Sequence, residues 1–238
     1  MTTYMIDELA QFVDHTNLKA NATAQEMETL CSEARAYHFK MVAINQVQSS
    51  RCSDWLEGSD IRVGAAIGFP LGQTSIAAKV FETQDAIASG ATEIDYMINV
   101  TEVKEENWDY LKKEMTDIVA VCRQANVPCK VIFENAYLTE EEKVQLCKIA
   151  KEVQPDYIKT STGFAPTGAT VEDVRLMKQQ VGEQVKVKAA GGIRDARTFK
   201  EMIANGAQRI GTSAGIAIIE ELKKEAVDGK ITIESVIS

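Results

Sequence analysis

Histidine is nearly missing from this chain. Its 238 residues include two, His15 and His38. A metal centre built from several imidazoles of one chain is therefore excluded. Cysteine is sparse and scattered. Cys31, Cys52, Cys122, Cys129 and Cys147 form no C-x-x-C pair, so a thiolate metal site is not indicated. An odd, unclustered set of this kind reads as buried free thiols in a reducing compartment. The four prolines and 14 glycines argue against a fibrous or disordered chain. Positive charge is in deficit: 26 Lys and Arg against 35 Asp and Glu leave a net −9. That is a poor surface for nucleic acid or an anionic membrane. No apolar run approaches the roughly 20 residues of a membrane helix. The first residues, Met1 to Glu8, are acidic and lack the basic start of a signal peptide. A cytoplasmic location is expected.

Short β-branched runs recur through the chain. They begin near Gln11, Met41, Arg62, Glu93, Lys130, Tyr157, Gln184 and Gln208. Seven steps over 197 positions give a mean spacing of 28 residues. Most runs are separated by helical patterns. Thr23 to Glu26 is a capping box ahead of Met27, Leu30, Cys31 and Ala34 on one face. Trp108, Leu111, Met115, Ile118, Val119 and Cys122 form a second stripe, closed by Pro128. Thr139, Thr170 and Asp195 open three more helices, the last ending at Gly206. The segment Ser89 to Ile94 echoes Asn205 to Ile210, 116 positions on, or about four units. Eight β-α units in one chain of this length indicate a (β/α)8 TIM barrel, a single α/β domain with no linker. A doubly wound sheet would more usually have five or six strands. A last helix is expected from about residue 220, then a turn at Asp228-Gly229 and a short tail.

In such a barrel the site lies at the C-terminal strand ends. Lys159 and Lys188 each end an apolar run and are 29 positions apart, one unit. Neighbouring strands lie roughly 4.8 Å apart, so the two ammonium groups are expected to be close. A second cation and a confined site lower a lysine pKa, which suits a lysine that attacks a carbonyl. The plainer alternative is two strand-end lysines reaching solvent. Asp95 is the natural acid-base partner, or an ion-pair partner of the lysines, and the two readings are compatible. Asp14 and Glu134 read as supporting carboxylates. Three glycine-rich loops follow successive strands and carry Thr162 and Gly163, Gly191 and Gly192, and Gly211 and Ser213. Backbone amides and hydroxyls there would cradle an anion, unless these are simply tight turns. His15 is expected to face outward against a helix, and His38 to sit at a helix end.

Six segments together resemble the deoxyribose-phosphate aldolase family. They are Asp14-His-Thr-Asn-Leu-Lys19, Ile67-Gly-Phe-Pro-Leu-Gly72, Glu93-Ile-Asp-Tyr-Met-Ile-Asn99, Tyr157-Ile-Lys-Thr-Ser-Thr-Gly163, Val187-Lys-Ala-Ala-Gly-Gly-Ile-Arg194 and Arg209-Ile-Gly-Thr-Ser213. The similarity spans about residues 11 to 219. It implies a class I aldolase on a (β/α)8 barrel, without metal or organic cofactor. The reaction implied is reversible cleavage of 2-deoxy-D-ribose 5-phosphate to D-glyceraldehyde 3-phosphate and acetaldehyde, in deoxynucleoside catabolism. By motif, Lys159 would be the Schiff-base lysine, Lys188 the lysine that perturbs it, Asp95 the proton donor and acceptor, and Asp14 a relay carboxylate. Thr16 would contact substrate, and Gly163, Gly191, Gly192 and Ser213 would fall in phosphate-binding loops. A homodimer is compatible with the resemblance.

The chain departs from the family pattern in places. Ala214 and Ala190 stand where relatives often carry Ser, which removes a hydroxyl donor near the expected phosphate. Ala43 replaces a cysteine found in many relatives, removing one route to inactivation by aldehydes. The chain ends Ile237-Ser238 instead of in a tyrosine that reaches the site, so no catalytic tail is expected. Lys186, often Gly, would face the same side as Lys188 one layer deeper, which is costly unless an acid meets it or the strand bulges. Three rival readings keep the fold: a class I aldolase for another phosphosugar, a phosphate-binding isomerase that leaves the paired lysines unexplained, and a non-catalytic phosphate-binding barrel.

Overall fold

A computed structural model describes residues 1–237. The elements run β1 (Thr2–Met5), α1 (Ile6–Ala10), β2 (Val13–Asn17), α2 (Ala24–Tyr37), β3 (Met41–Asn45), α3 (Ser49–Trp55), β4 (Arg62–Ile67), α4 (Ile76–Ala88) and β5 (Glu93–Met97). They continue α5 (Val100–Lys104), α6 (Trp108–Gln124), β6 (Cys129–Ile132), α7 (Glu140–Val153), β7 (Tyr157–Lys159), α8 (Val171–Val181), β8 (Lys186–Ala190), α9 (Ala196–Ala204), β9 (Ala207–Thr212), α10 (Gly215–Glu225) and β10 (Lys230–Ile233). Strands β2 to β9 pair in parallel and close into a barrel in chain order. The eight expected strand starts fall within two residues of the observed ones. Among the described residues no helix is long and apolar enough to cross a membrane.

Local chemistry starts the helices where the sequence places them. Thr23 and Thr139 each accept the backbone N–H three residues on, and Glu26 and Glu142 reach back to the cap. Thr170 and Asp195 accept from Asp173 and Thr198. Each satisfies a donor that the first helical turn leaves open. Between barrel and helices lies the apolar core. Strand alternation sends Val13, Ile94, Tyr96, Val131, Phe133, Ile158, Val187 and Ile210 outward, all buried. His15 follows the same parity, with its Nε2 2.7 Å from Glu33 of α2 and its ring against Phe39. His38 caps α2 in the left-handed region and meets Asp7 and Asp60 at the surface. The opposite parity turns inward, and there the barrel is filled by charge.

Two expectations are refined. Helix α10 begins at Gly215, five residues before the expected start. Asp228 and Gly229 do make the turn, both with positive φ, and Val227 and Lys230 exchange backbone hydrogen bonds across it. The chain then continues as β10, which pairs antiparallel with β1. Val236 donates to the Ala204 carbonyl, and Ile237 lies against Gly206, where α9 hands over to the start of β9. The tail therefore packs at the N-terminal face of the barrel, away from the strand ends that carry the lysines.

Candidate active site

Seven charged side chains from β2, β5, β6, β7, β8 and β9 meet inside the barrel. Asp95 is at their centre. Its Oδ2 is 2.9 Å from Lys159 Nζ and 2.7 Å from Lys188 Nζ, and its Oδ1 is 2.8 Å from Lys130 Nζ. Lys188 also lies 2.5 Å from Asp14 Oδ2. Arg209 joins Asp14 to Glu93 at 2.7 and 2.5 Å, and Lys130 meets Glu93 at 2.5 Å. All seven are buried, none more than 4% exposed. Register explains the convergence: β7 pairs Lys159 with Lys188 of β8, and β5 pairs Asp95 with Lys130 of β6.

Burial is the largest influence on Lys159, Asp95, Asp14, Lys130 and Arg209, and their partners set the outcome. Burial drives the Lys159 pKa down. Asp95 pulls it back, Lys188 and Lys130 oppose Asp95, and the net value is lowered to about 8. Burial alone would raise Asp95, yet Lys130, Lys159 and Lys188 hold it well below the usual carboxylate range. Asp14 is likewise lowered, because Arg209, Lys188 and Lys130 outweigh its desolvation. Lys130 and Arg209 are raised, since their carboxylate partners outweigh the same penalty.

Above this cluster opens a cleft of about 640 Å³ at the C-terminal strand ends. Lys159 is the one member of the charged cluster that lines it. Thr16, Thr162, Gly163, Gly191, Gly192, Gly211 and Ser213 line it too, so the residues singled out in three loops share one wall system. Gly191 shows why glycine stands there. Its φ is +83°, and a Cβ on it would lie 3.0 Å from the Cα of Gly168 and 3.4 Å from that of Gly163. The two loops pack backbone against backbone. Thr16 donates to its own strand, at the Asp14 carbonyl. Glu134, in the left-handed region, accepts from the Thr162 amide and hydroxyl and so ties β6 to the loop after β7. Burial raises its pKa against those hydrogen bonds.

Sequence reading passed over several residues of the site. Lys130, Glu93 and Arg209 were not singled out, nor were the cleft cations Lys19 and Arg194. Parity held the signal for the first two: Glu93 shares a face with Asp95, and Lys130 stands beside Asp95 in register. Arg209 occupies the echo position of Glu93, 116 residues on, and the two meet as an ion pair across the barrel. Among the described residues Lys186 meets no acid. It is exposed at the start of β8, where its Nζ lies 5.5 Å from the Tyr157 ring centroid. The bulge falls on the neighbouring β9, where Gln208 is skipped between the pairs Val187–Ala207 and Lys188–Arg209. Lys186 is exposed, so its ammonium stays hydrated and the expected cost does not arise. Ala214 does not line the cleft, whereas Ala190 does.

Comparison with known proteins gives the family of the chain. Residues 9–220 match the model of the DeoC/LacD family aldolases. A deoxyribose-phosphate aldolase of Lactobacillus acidophilus is 58% identical over 228 residues, covering 96% of each chain. One of Bacteroides thetaiotaomicron is 55% identical, over 92% of this chain and 93% of that one. Among solved structures, an aldolase named QR15 superposes with a TM-score of 0.86 at 38% identity, over 91% of this chain and 96% of that one. The tetrameric deoxyribose phosphate aldolase of Aeropyrum pernix gives 0.86 at 27% identity, over 93% of each. A cleft lined by one lysine of lowered pKa, set on an eight-stranded barrel whose sequence matches that family over nearly its whole length, leads to one assignment: the chain belongs to the DeoC/LacD family of aldolases.

Proposed function

We propose that Lys159 is the Schiff-base nucleophile of a deoxyribose-phosphate aldolase, a carbon–carbon lyase acting on 2-deoxy-D-ribose 5-phosphate. The observation that carries this is the place of its ammonium. It shares one oxygen of Asp95 with Lys188 and alone among the buried charges reaches the cleft. An unperturbed lysine is about 0.04% neutral at pH 7; a pKa near 8 raises that to about 10%.

The neutral amine adds to the C1 aldehyde of the open-chain sugar, and loss of water leaves an iminium. A water held by the ionised Asp95 takes the proton of the C3 hydroxyl. The C2–C3 bond then breaks, and its electron pair enters the iminium to give an enamine. Glyceraldehyde 3-phosphate departs. Protonation of the enamine carbon and addition of water return acetaldehyde and free Lys159. Lys188 holds Asp95 in place and Asp14 holds Lys188, so the relay is anchored at both ends. The glycine loops, with Ser213 and Thr162, supply amides and hydroxyls for the phosphate, and the cleft cations Lys19 and Arg194 add attraction. The buried, free cysteines suit a cytoplasmic enzyme.

Borohydride reduction in the presence of acetaldehyde, followed by peptide mass spectrometry, should place one adduct on Lys159. An adduct on another lysine, or none, refutes the assignment. Lys159→Leu should lose turnover while keeping its fold. Deoxyribose 5-phosphate should be cleaved with a much higher kcat/KM than deoxyribose; equal values would remove the phosphate reading.

A further inference from the structure

The buried charges form a closed circuit. Passing from Glu93 to Lys130, Asp95, Lys188, Asp14, Arg209 and back to Glu93, every step is an ion pair of 2.5–2.8 Å and the sign alternates throughout. Three carboxylates face three cations, so the ring is neutral by itself. Lys159 hangs on it through Asp95 alone. A protonated Lys159 gives the assembly one uncompensated buried charge, and a neutral one gives it none. In a low-dielectric interior that difference is large.

We infer that Glu93 and Arg209, which do not line the cleft, are positioning residues that set the protonation of Lys159 by completing a charge-neutral ring beneath it. This rests on Lys159 being the nucleophile. The groups facing Lys159 are Asp95 on β5, with Glu93 one layer deeper; Lys130 on β6, with Glu134 just beyond it; Lys188 on β8; and, across Lys188, Asp14 on β2 and Arg209 on β9. Tyr157, two residues before Lys159, places its ring 5.9 Å from Lys130 Nζ and 5.6 Å from Arg209 Cζ. Glu93 and Arg209 act on the same lysine with opposite sign. No loss of packing or of stability would reproduce that pattern.

The test is the pH midpoint of Lys159 itself, measured by competitive acetylation with acetic anhydride and peptide mass spectrometry, beside the acid limb of kcat/KM. Glu93→Gln leaves the ring positive and should move both midpoints down by roughly one pH unit, the size expected for a unit charge about 7 Å away at intermediate effective dielectric. Arg209→Gln leaves it negative and should move them up by a similar amount. The double variant restores neutrality and should return them close to the wild-type value. Lys130→Met removes a cation at similar volume and should shift the midpoints upward, which keeps the test decisive if an Arg209 variant fails to fold. Midpoints that stay put, or move the same way in Glu93→Gln as in Arg209→Gln or Lys130→Met, overturn the ring. Borohydride trapping in the same variants separates the two questions: an adduct away from Lys159 overturns the nucleophile assignment and the inference with it, whatever the midpoints do.

Discussion

Lys159 titrates near pH 8 because burial and two neighbouring lysines together outweigh the pull of Asp95. The sign follows directly. For the proposed nucleophile the neutral amine is the reactive form, so kcat/KM should fall about tenfold per pH unit below the midpoint and level off above it until another group titrates. A profile flat from pH 6 to 9 would contradict this. Asp95→Asn removes the carboxylate that three ammonium groups share, and should lower kcat by about 10²–10⁴-fold, the range of a lost proton-transfer group. Lys188→Leu should fall in the same range. It also strips Asp14 and Asp95 of a common partner, so the loss in the pair Asp95→Asn/Lys188→Leu should be well short of the product of the single losses. Ala43, on β3, is buried and carries no thiol. Activity after exposure to acetaldehyde should therefore be lower in Ala43→Cys than in the parent chain.

At the scale of elements, the end of β5 is held from outside the barrel. Lys79 of α4 and Glu114 of α6 form a fully buried ion pair of 2.6 Å. Lys79 also donates to the Met97 carbonyl, and Glu114 accepts from the Asn99 amide. The two helices thus grip the strand end two and four residues beyond Asp95. Burial raises the Glu114 pKa and lowers that of Lys79, so each needs the other to stay charged. Lys79→Met should cost about 3–5 kcal/mol, because it leaves a carboxylate buried and unpaired. In a chain of this size that is a fall of roughly 10 °C in Tm. Lys79→Met with Glu114→Leu should recover most of it, and thermal unfolding of the three proteins checks both. Thr139→Ala removes a single cap and should cost about 1 kcal/mol.

Over the whole molecule, the cleft and the clasp of the chain ends occupy opposite faces. The cleft opens at the C-terminal strand ends, while β1 and β10 clasp the two ends of the chain at the N-terminal face. Tyr4 packs edge-on against Phe12 there, at 5.7 Å between ring centroids. Removal of residues 230–238 strips β1 of its strand partner β10 and should lower Tm measurably. It should leave KM for the phosphorylated sugar unchanged, because none of the described residues of that segment lines the cleft. A raised KM would place the tail in the site.

The repeat of about 28 residues, the caps at Thr23, Thr139, Thr170 and Asp195, and the strand-end lysines are local properties. The sequence alone therefore determined the eight-unit barrel and the candidates Lys159, Lys188 and Asp95. Side-chain alternation along a strand also sufficed to turn His15 outward. What alternation does not contain is which inward residues of different strands meet. Glu93 and Arg209 are 116 positions apart and touch only because the sheet closes on itself. Lys186 shares the parity of Lys188 yet stays hydrated, because its height in the barrel, and not its face, decides its solvation. The antiparallel pairing of β1 with β10 likewise joins residues more than 220 positions apart. Charges in a barrel interior are balanced across strands, and only the closed sheet decides their partners.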